Sequence, residues 1–318
     1  MSRHLRMGAG GEFDRLRAIF ARLGPAARDL GDDSALVRIG GRTLAVSVDL
    51  SLEGVHFRTE WLTFREIGWR AAAAALSDLA AEGAAPVGVL VSLGLPAAGR
   101  RRADTAATEI MAGVGAAARR GGARVLGGDL VRSPRYLVDV CVLGIAERPV
   151  RRSGARPGDG LWVTGRLGAP GLALAALRRG RRPPRPLWRR FAHPEPRIAA
   201  GRWLARHGAR ALIDISDGLA GDARHLAAAS GVRAEIALEL VPRWPGASPR
   251  AAAESGEEYE LLVALPRRFD AAAARAFRWA TGLALTRIGR CTKGRGLRLT
   301  AQGRVLGSLG GFDHFPAR

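Results

Sequence analysis

Aspartates recur in or directly after apolar, strand-like segments of this 318-residue chain. The segment ALIDISDGLAGD begins as a buried strand and then places Asp214, Ser216, Asp217 and Asp222 close together. We predict that Asp33, Asp49 and Asp129 also lie at strand or turn ends. Asp78 lies instead towards the end of a predicted helix. Aspartate suits turns and helix starts, so a local role explains any one of these residues. It does not explain the whole set, because a buried, unpaired carboxylate is costly.

A group of such carboxylates would need a counter-charge. Two carboxylates ~4 Å apart repel each other by ~4 kcal/mol at an effective dielectric constant near 20. Oxygen ligands without a histidine cluster favour Mg²⁺, which usually completes its shell with water and phosphate. We therefore expect a phosphate-bearing substrate, such as a nucleotide. Glycine turns in LGGD and SDGLAGD would let backbone N–H groups approach its phosphate oxygens.

Several common classes of protein are excluded. A Walker A loop needs GxxxxGK[ST], and the only lysine is Lys293, in RCTKGRG. No GxGxxG opens a helix after a strand, and no GxSxG elbow is present. Cys141 and Cys291 are too few for a disulfide framework or a cysteine zinc site, and we expect both to be buried. The N-terminus has no apolar signal core and no segment resembles a membrane span, so we expect a cytoplasmic protein.

The formal charge of +21 and the pI near 11.6 are typical of proteins that bind nucleic acid. However, almost all of this charge is arginine, accompanied by much alanine, glycine and proline, as a GC-rich coding sequence would produce. Aromatic residues do not alternate with basic ones, as single-strand binding would favour. The basic run Arg178–Arg185 is predicted to be an exposed loop. A non-catalytic, arginine-rich protein that binds nucleic acid remains an alternative function.

Helical and strand periodicities alternate along the whole chain, which predicts an α/β (α+β) fold. The run ALVRIGGRTLAVSV predicts a hairpin around Gly40-Gly41, and Thr63 with Glu66 predicts a capping box. Helices are predicted at Gly11–Arg22, Thr63–Ala81, Asp104–Arg120, Ala199–His207, Leu219–Ala229 and Asp270–Thr281. Further strands are predicted at 87–96, 123–130, 135–146, Leu161–Thr164, Ala211–Ile215, 258–266 and Leu285–Ile288. A change to proline and glycine turns near Glu147–Arg151 divides the chain into domains at 1–148 and 149–318.

Nine motifs in order resemble those of the thiamine-monophosphate kinase family, from Gly11 to Phe315. They are GEFDRLRAIF, GDDSALV, VSVDLSLEGVHF, GWRAAAAALSDLAAEGA, GGDLVRSP, RSGARPGD, IDISDGLAGD, GEEYELL and GFDHF. This family belongs to the wider superfamily of aminoimidazole ribonucleotide synthetase, selenophosphate synthetase and a hydrogenase maturation protein. EGVHF and GFDHF favour the thiamine branch. Another ATP-dependent enzyme of the superfamily, with a different acceptor, is the second alternative.

The resemblance implies that ATP and thiamine monophosphate react by direct, in-line phosphoryl transfer to give ADP and thiamine diphosphate. It implies that the N-terminal α/β domain binds ATP and Mg²⁺ and forms a homodimer. The C-terminal domain would be an α/β sandwich that partly covers the nucleotide. No membrane partner is implied, and nucleic acid is not expected as a partner.

The resemblance also implies roles for individual residues. The magnesium positions are matched by Asp33, Ser47, Asp49, Asp78, Asp129, Asp214 and, more peripherally, Asp217. The ATP contacts are matched by Gly128, Asp129, Arg152 and Ser216. The thiamine monophosphate contacts are matched by His56, Glu257 and Phe312. No general acid or base is implied, because the acceptor is a phosphate oxygen that is ionised near neutral pH.

The chain also departs from the family pattern at several positions. The family usually has Thr at Val48, Asn at Ala75, Met at Glu82 and Thr at Leu130, and its GGEDYEL is here SGEEYEL, with Ser255 and Glu258. All of the metal-position aspartates are kept. We therefore expect activity to be retained, with changes in metal affinity or acceptor choice.

Overall fold

The computed structural model describes residues 4–97, 100–307 and 309–315, and for 100–103 the backbone only. The first half consists of a five-stranded sheet with three helices. Its elements, in chain order, are α1 (Gly11–Leu23), β1 (Ala35–Ile39), β2 (Arg42–Leu52), α2 (Phe64–Ala81), β3 (Ala85–Leu95), α3 (Arg100–Gly121), β4 (Arg124–Arg132) and β5 (Leu137–Ile145). The strand order in the sheet is β1-β2-β5-β3-β4, and only β3 and β4 pair in parallel.

Local sequence signals determine several of these elements. Strands β1 and β2 form the predicted hairpin, with Ile39 paired to Arg42 around a turn in which both glycines have positive φ. Helix α2 begins with the predicted capping box, in which Thr63 and Glu66 bond to each other's backbone N–H groups. The two predictions are confirmed.

Helices α2 and α3 cover one face of the sheet. They approach each other closely at Gly68, where an added Cβ would lie 1.9 Å from the carbonyl oxygen of Ile110. The buried side chains between helices and sheet include Leu76 and Leu79 of α2 and Val89 and Val140 of the sheet. The alanine-rich sequence of α2 allows this close packing, since its small side chains are buried on nearly all sides.

The second half contains a seven-stranded sheet, in the order β12-β11-β8-β10-β6-β9-β7. Its elements are β6 (Gly160–Thr164), α4 (Ala169–Arg178), α5 (Arg185–Ala192), α6 (Ile198–Arg206), β7 (Ala211–Asp214), α7 (Leu219–Ser230), β8 (Arg233–Ala237), α8 (Pro249–Glu254), β9 (Leu261–Leu265), α9 (Ala271–Thr281), β10 (Leu285–Thr292), β11 (Gly296–Ala301) and β12 (Arg304–Val305). Leu161 and Val163 of β6 pack in the core with α7, whereas Trp162 packs in the core with α6 and α9. The fully buried central strands therefore carry apolar residues on both faces.

Helix α6 joins the two halves. Gly201 lies so close to α2 that an added Cβ would be 1.9 Å from the carbonyl oxygen of Ala80. Within the described ranges, no helix combines the length and apolar character that crossing a membrane requires. Cys291 is buried, as predicted, but Cys141 is only half-buried because it lies on the face of the first sheet that α2 and α3 leave uncovered.

Several local predictions were wrong. Asp49 and Asp129 lie inside strands rather than at strand ends, because pairing continues to Leu52 in β2 and to Arg132 in β4. The expected glycine turn in LGGD is for the same reason part of β4. Helices α4, α5 and α8 and strands β8, β11 and β12 were not predicted. The basic run is a loop only at its centre, because Arg178 ends α4 and Arg185 begins α5.

Candidate active site

A cavity of about 890 Å³ lies between α2 and β2 of the first half and the strand-end loops of the second half. The C-terminal segment closes one side of it. Most of the site residues implied by the resemblance line this cavity. They are Asp33, Ser47, Asp49, His56, Asp78, Arg152, Asp214, Ser216, Asp217, Glu257 and Phe312.

Three carboxylates from distant parts of the chain meet in the cavity. Oxygen atoms of Asp33, Asp78 and Asp214 all lie within 4.8 Å of one another. The hydroxyl of Ser47, on β2, lies 2.5 Å from Oδ2 of Asp78 and 3.1 Å from the carbonyl oxygen of Asp33. This donor set is made of oxygen atoms alone, which suits a hard divalent cation.

Burial makes negative charge costly at this cluster. It raises the pKa of Asp214 to about 7, with the Asp33 charge adding to the effect. Burial and the charge of Asp214 also raise the pKa of Asp78 well above its ordinary value. Asp49, on the same side of β2 as Ser47, has a pKa raised to about 6 by burial and by the charge of Glu257. A bound cation would offset this cost, so the residues fit a metal site.

Arg152 is the positive group nearest to the cluster. Its Nε lies 3.0 Å from one carboxylate oxygen of Asp33, and its Nη2 lies 2.8 Å from the other. Such a two-point pair fixes the orientation of both side chains. Among the described residues the Arg152 guanidinium donates hydrogen bonds only to Asp33, so its other N–H groups can serve a ligand.

The loop after β7 forms hydrogen bonds with two other segments of the cavity lining. The carbonyl oxygen of Ser216 accepts a hydrogen bond of 2.6 Å from the backbone N–H of Glu257, which has a φ of +58°. The carbonyl oxygen of Asp217 accepts one of 2.8 Å from the backbone N–H of Phe312. Phe312 is 52% exposed, so it is not an anchor in the core, and its ring is free to contact a ligand.

His56 is held in one ring orientation. Its Nδ1 accepts a hydrogen bond of 3.0 Å from the backbone N–H of Leu52. Burial, together with the nearby His314, lowers the pKa of His56, so the ring is neutral near pH 7. The neutral ring then carries its proton on Nε2, which is the nitrogen left to donate to a ligand.

Sequence reasoning missed Arg70, a buried residue of α2. Its guanidinium donates to the Glu257 carboxylate and to the carbonyl oxygen of Phe191. A signal was present in the sequence, because Arg70, Ala74 and Asp78 are spaced by four residues and therefore share one helix face. A charged residue on the same face as a predicted metal ligand is a candidate site residue.

Gly128 and Asp129 do not line the cavity. In the first sheet, Asp129 lies in one row with Ser92, Asp139 and Leu50, on the face turned away from α2 and α3. Asp49 lies in the neighbouring row and faces the opposite side. The two aspartates therefore do not meet within one chain.

Two of the residues that depart from the family pattern form hydrogen bonds with the start of α4. The hydroxyl of Ser255 accepts a hydrogen bond from the backbone N–H of Gly171, and the carboxylate of Glu258 accepts one from that of Gly168. Both residues therefore hold the first turn of α4. Burial raises the pKa of Glu258 to about 8.

Comparison with known proteins agrees with this geometry. Residues 31–146 match the family of AIR synthase related protein, N-terminal domain, and residues 156–302 match that of its C-terminal domain. Thiamine-monophosphate kinase of Aquifex aeolicus is 33% identical over 308 residues, covering 92% of this chain and 95% of that protein. That of Mycobacterium tuberculosis is 38% identical over 231 residues, covering 71% of this chain and 68% of that protein.

A solved structure of AaThiL complexed with AMPPCP and TMP superposes on this chain with a TM-score of 0.84 and 32% sequence identity. It covers 96% of this chain, and this chain covers 97% of it. The predicted two-domain α/β fold is thereby confirmed. The chain belongs to the thiamine-monophosphate kinase family.

Proposed function

We propose that this chain transfers the γ-phosphoryl group of ATP directly to the phosphate of thiamine monophosphate. A bond forms between a phosphate oxygen of the acceptor and the γ-phosphorus, the bond from that phosphorus to the β,γ-bridging oxygen breaks, and ADP leaves. The other product is thiamine diphosphate. The observation that carries this proposal is that the carboxylate cluster shares one cavity with His56, Glu257 and Phe312.

Magnesium would be held by Asp33, Asp78 and Asp214, with Ser47, Asp49 and Asp217 as further oxygen donors. Their raised pKa values and their closeness to one another support this assignment. Bound Mg²⁺ would neutralise the charge of the triphosphate and of the transferring group. Arg152 and Ser216 line the same cavity as the cluster, and we assign them to the nucleotide.

The acceptor would lie at the end lined by His56, Glu257 and Phe312. Nε2 of His56 would donate to the acceptor phosphate and fix its position. Phe312 presents an exposed ring that can stack on the cationic thiazolium or on the pyrimidine. Glu257, oriented by Arg70, would accept from the aminopyrimidine or offset the thiazolium charge.

A general base is not needed for this reaction. The second pKa of a phosphate monoester is about 6, so the acceptor oxygen is mostly ionised at neutral pH. The residues of this chain would bind, orient and exclude water rather than take a proton from the acceptor. The in-line geometry would be set by Arg152 on the nucleotide and His56 on the acceptor phosphate, both of which line the cavity.

We further propose that two chains pair through the uncovered face of the first sheet. Val48, Leu50, Leu90 and Val131 share this face, and each has more than a third of its surface exposed. Exposed apolar area of this kind marks interaction surfaces. Gly128 and Asp129 would then lie in the dimer interface, and it is there that they would bind nucleotide or metal.

We also propose that the boundary between the two domains lies between residues 148 and 149. It falls in the connection between β5 of the first sheet and β6 of the second. We place the enzyme in the cytoplasm, where ATP is available and where thiols such as Cys141 and Cys291 stay reduced.

The test is to incubate the purified protein with ATP, Mg²⁺ and thiamine monophosphate and to detect thiamine diphosphate by chromatography. Asp49→Asn should lower the rate at least ~100-fold, as loss of an electrostatic group at a transferring centre typically does. Glu109→Gln, on the exposed side of α3, is the matched control and should retain activity. If Mg²⁺–ATP raises the melting temperature but no product forms, the nucleotide site is right and the acceptor is wrong.

A further inference from the structure

Glu82 is a buried carboxylate that the proposed reaction does not use. It follows α2 as the C-cap residue and has no exposed surface. Within the described part of the chain, neither of its carboxylate oxygens has a hydrogen-bond partner.

Other oxygens near Glu82 also lack partners. Oxygen atoms of Asp32, Asp33 and Glu82 all lie within 4.8 Å of one another. Oδ2 of Asp32 is buried and has no hydrogen-bond partner among the described residues, and the same is true of the Ser34 hydroxyl. Ser34 neighbours this group, since its backbone N–H lies close enough to Glu82 to favour the charged carboxylate.

The protein's own positive groups leave part of this charge uncompensated. Arg152 binds Asp33, and Arg151 reaches Asp32 only at 3.9 Å from a partly exposed position. No cation in the described residues forms an ion pair with Glu82. The position of Glu82 at the end of α2 increases the energetic cost of a negative charge on its side chain, because the C-terminal end of a helix carries partial negative charge.

We propose that Asp32, Asp33 and Glu82 bind a divalent cation at a second site, which shares Asp33 with the Asp33–Asp78–Asp214 cluster. All of the available donors are oxygens, which selects a hard ion. Two unpartnered oxygens of Glu82 and one of Asp32 point to ligation by protein groups rather than by a largely hydrated ion. This favours Ca²⁺ or Mn²⁺ over Mg²⁺, which loses its waters reluctantly.

The ion would connect the two halves of the chain. Glu82 accepts a hydrogen bond at its carbonyl oxygen from the backbone N–H of Val150, and Asp32 accepts one at Oδ1 from that of Arg152. The site thus lies where the segment entering the second half crosses the end of α2. A structural role follows, and it does not depend on the proposed kinase activity.

Ion counting tests the proposal without nucleotide or acceptor. Mn²⁺ and Ca²⁺ would be titrated calorimetrically into chelator-treated wild type, Glu82→Gln and Glu82→Met. We expect one ion fewer per chain in both variants. Asp78→Asn serves as the control for the neighbouring cluster and should keep the Glu82-dependent ion. Equal ion counts in wild type and both Glu82 variants would overturn the proposal.

Thermal melting gives a second readout. In EDTA we expect Glu82→Met to melt several degrees above the wild type, because it removes an uncompensated buried carboxylate. Saturating Ca²⁺ should raise the wild-type melting temperature by more than that of Glu82→Met. If Ca²⁺ shifts both proteins equally, Glu82 does not bind the ion and is instead a buried, protonated acid.

Discussion

Arg152 binds both carboxylate oxygens of Asp33, at 2.8 and 3.0 Å. Asp33 precedes the first strand, and Arg152 lies in the segment that leads into the second sheet, so the pair joins two parts of the chain 119 positions apart. The Asp33 side chain is almost completely buried. The pair compensates one carboxylate of the cluster, and under the proposed function a bound ion would compensate the others.

Removing the arginine should therefore destabilise the metal-free protein. Arg152→Met leaves the buried charge of Asp33 uncompensated, and we expect a loss of about 3 kcal/mol in the free energy of unfolding. Arg152→Lys should lose less, because an ammonium keeps the charge but cannot bind both oxygens in the same way. Urea denaturation in EDTA measures both values. Arg267→Met, at an exposed position, is the control, and equal stability of all four proteins would contradict the expectation.

The stability of the metal-free protein should fall as the pH rises from about 4 to about 7. Burial raises the pKa of Asp214 and of Asp217 to about 7 and that of Asp49 to about 6, from an ordinary value of 3.8. Across this window the folded protein holds protons that the unfolded chain has released, so each rise in pH favours unfolding. Melting temperatures in EDTA at several pH values test this.

Magnesium should reverse this trend, because metal ions compete with protons for the same oxygens. We therefore expect the increase in melting temperature caused by Mg²⁺ to grow between pH 5 and pH 7.5. Asp214→Asn removes one of the titrating groups and should flatten the metal-free profile. If the stability of the metal-free protein instead rises across this pH range, the carboxylates are charged in the folded protein without a cost in folding free energy, and the expectation is wrong.

Gly68 should not tolerate a side chain. An added Cβ would lie 1.9 Å from the carbonyl oxygen of Ile110, so Gly68→Ala forces α2 and α3 apart. We expect a loss of about 1–3 kcal/mol, as for other overpacked cores. Gly115→Ala, in α3, is the matched control, because its nearest contact is the end of the Arg119 side chain at 3.4 Å. It should be neutral or stabilising by up to about 1 kcal/mol, and similar values for the two variants would contradict the packing described.

A charge on the uncovered sheet face should prevent pairing of two chains. Val48, in the middle of β2, is 61% exposed on this face, and Val48→Arg would place a guanidinium in the proposed interface. Light scattering coupled to size exclusion should give a dimer for the wild type and a monomer for the variant. Val305→Arg, exposed in the second half, should remain dimeric. A monomeric wild type at micromolar concentration would refute the proposed dimer.

Much of the fold was predictable from local signals. The hairpin around Gly40-Gly41 and the capping box at Thr63 are determined by a few neighbouring residues, and both were correctly predicted. Strand ends were less predictable, because they depend on partners far away in the sequence. Asp129 illustrates this, since β4 continues past it only because β3 offers backbone groups to pair with.

The candidate site was likewise only partly predictable from the sequence. Aspartates in apolar segments predicted a carboxylate cluster, and three of them, Asp33, Asp78 and Asp214, meet within 4.8 Å. The spacing of Arg70 and Asp78 places both on one face of α2, but that Arg70 contacts Glu257 was not predictable, because the two residues are far apart in the sequence. Nor could the sequence show that Asp129 and Asp49 lie on opposite faces of the first sheet, since the face on which each side chain lies depends on strand register.

The sequence by itself determined which side chains are available: many aspartates and no histidine cluster, which together favour a hard cation and a phosphate-bearing substrate. It also determined the elements that carry them, through periodicity, capping and turn residues. Only the tertiary structure decided which carboxylates meet, which one Arg152 neutralises and which, like Glu82, lacks a hydrogen-bond partner among the described residues. The physical reason is that burial and electrostatic interaction depend on distances between residues far apart in the chain, which local sequence does not encode.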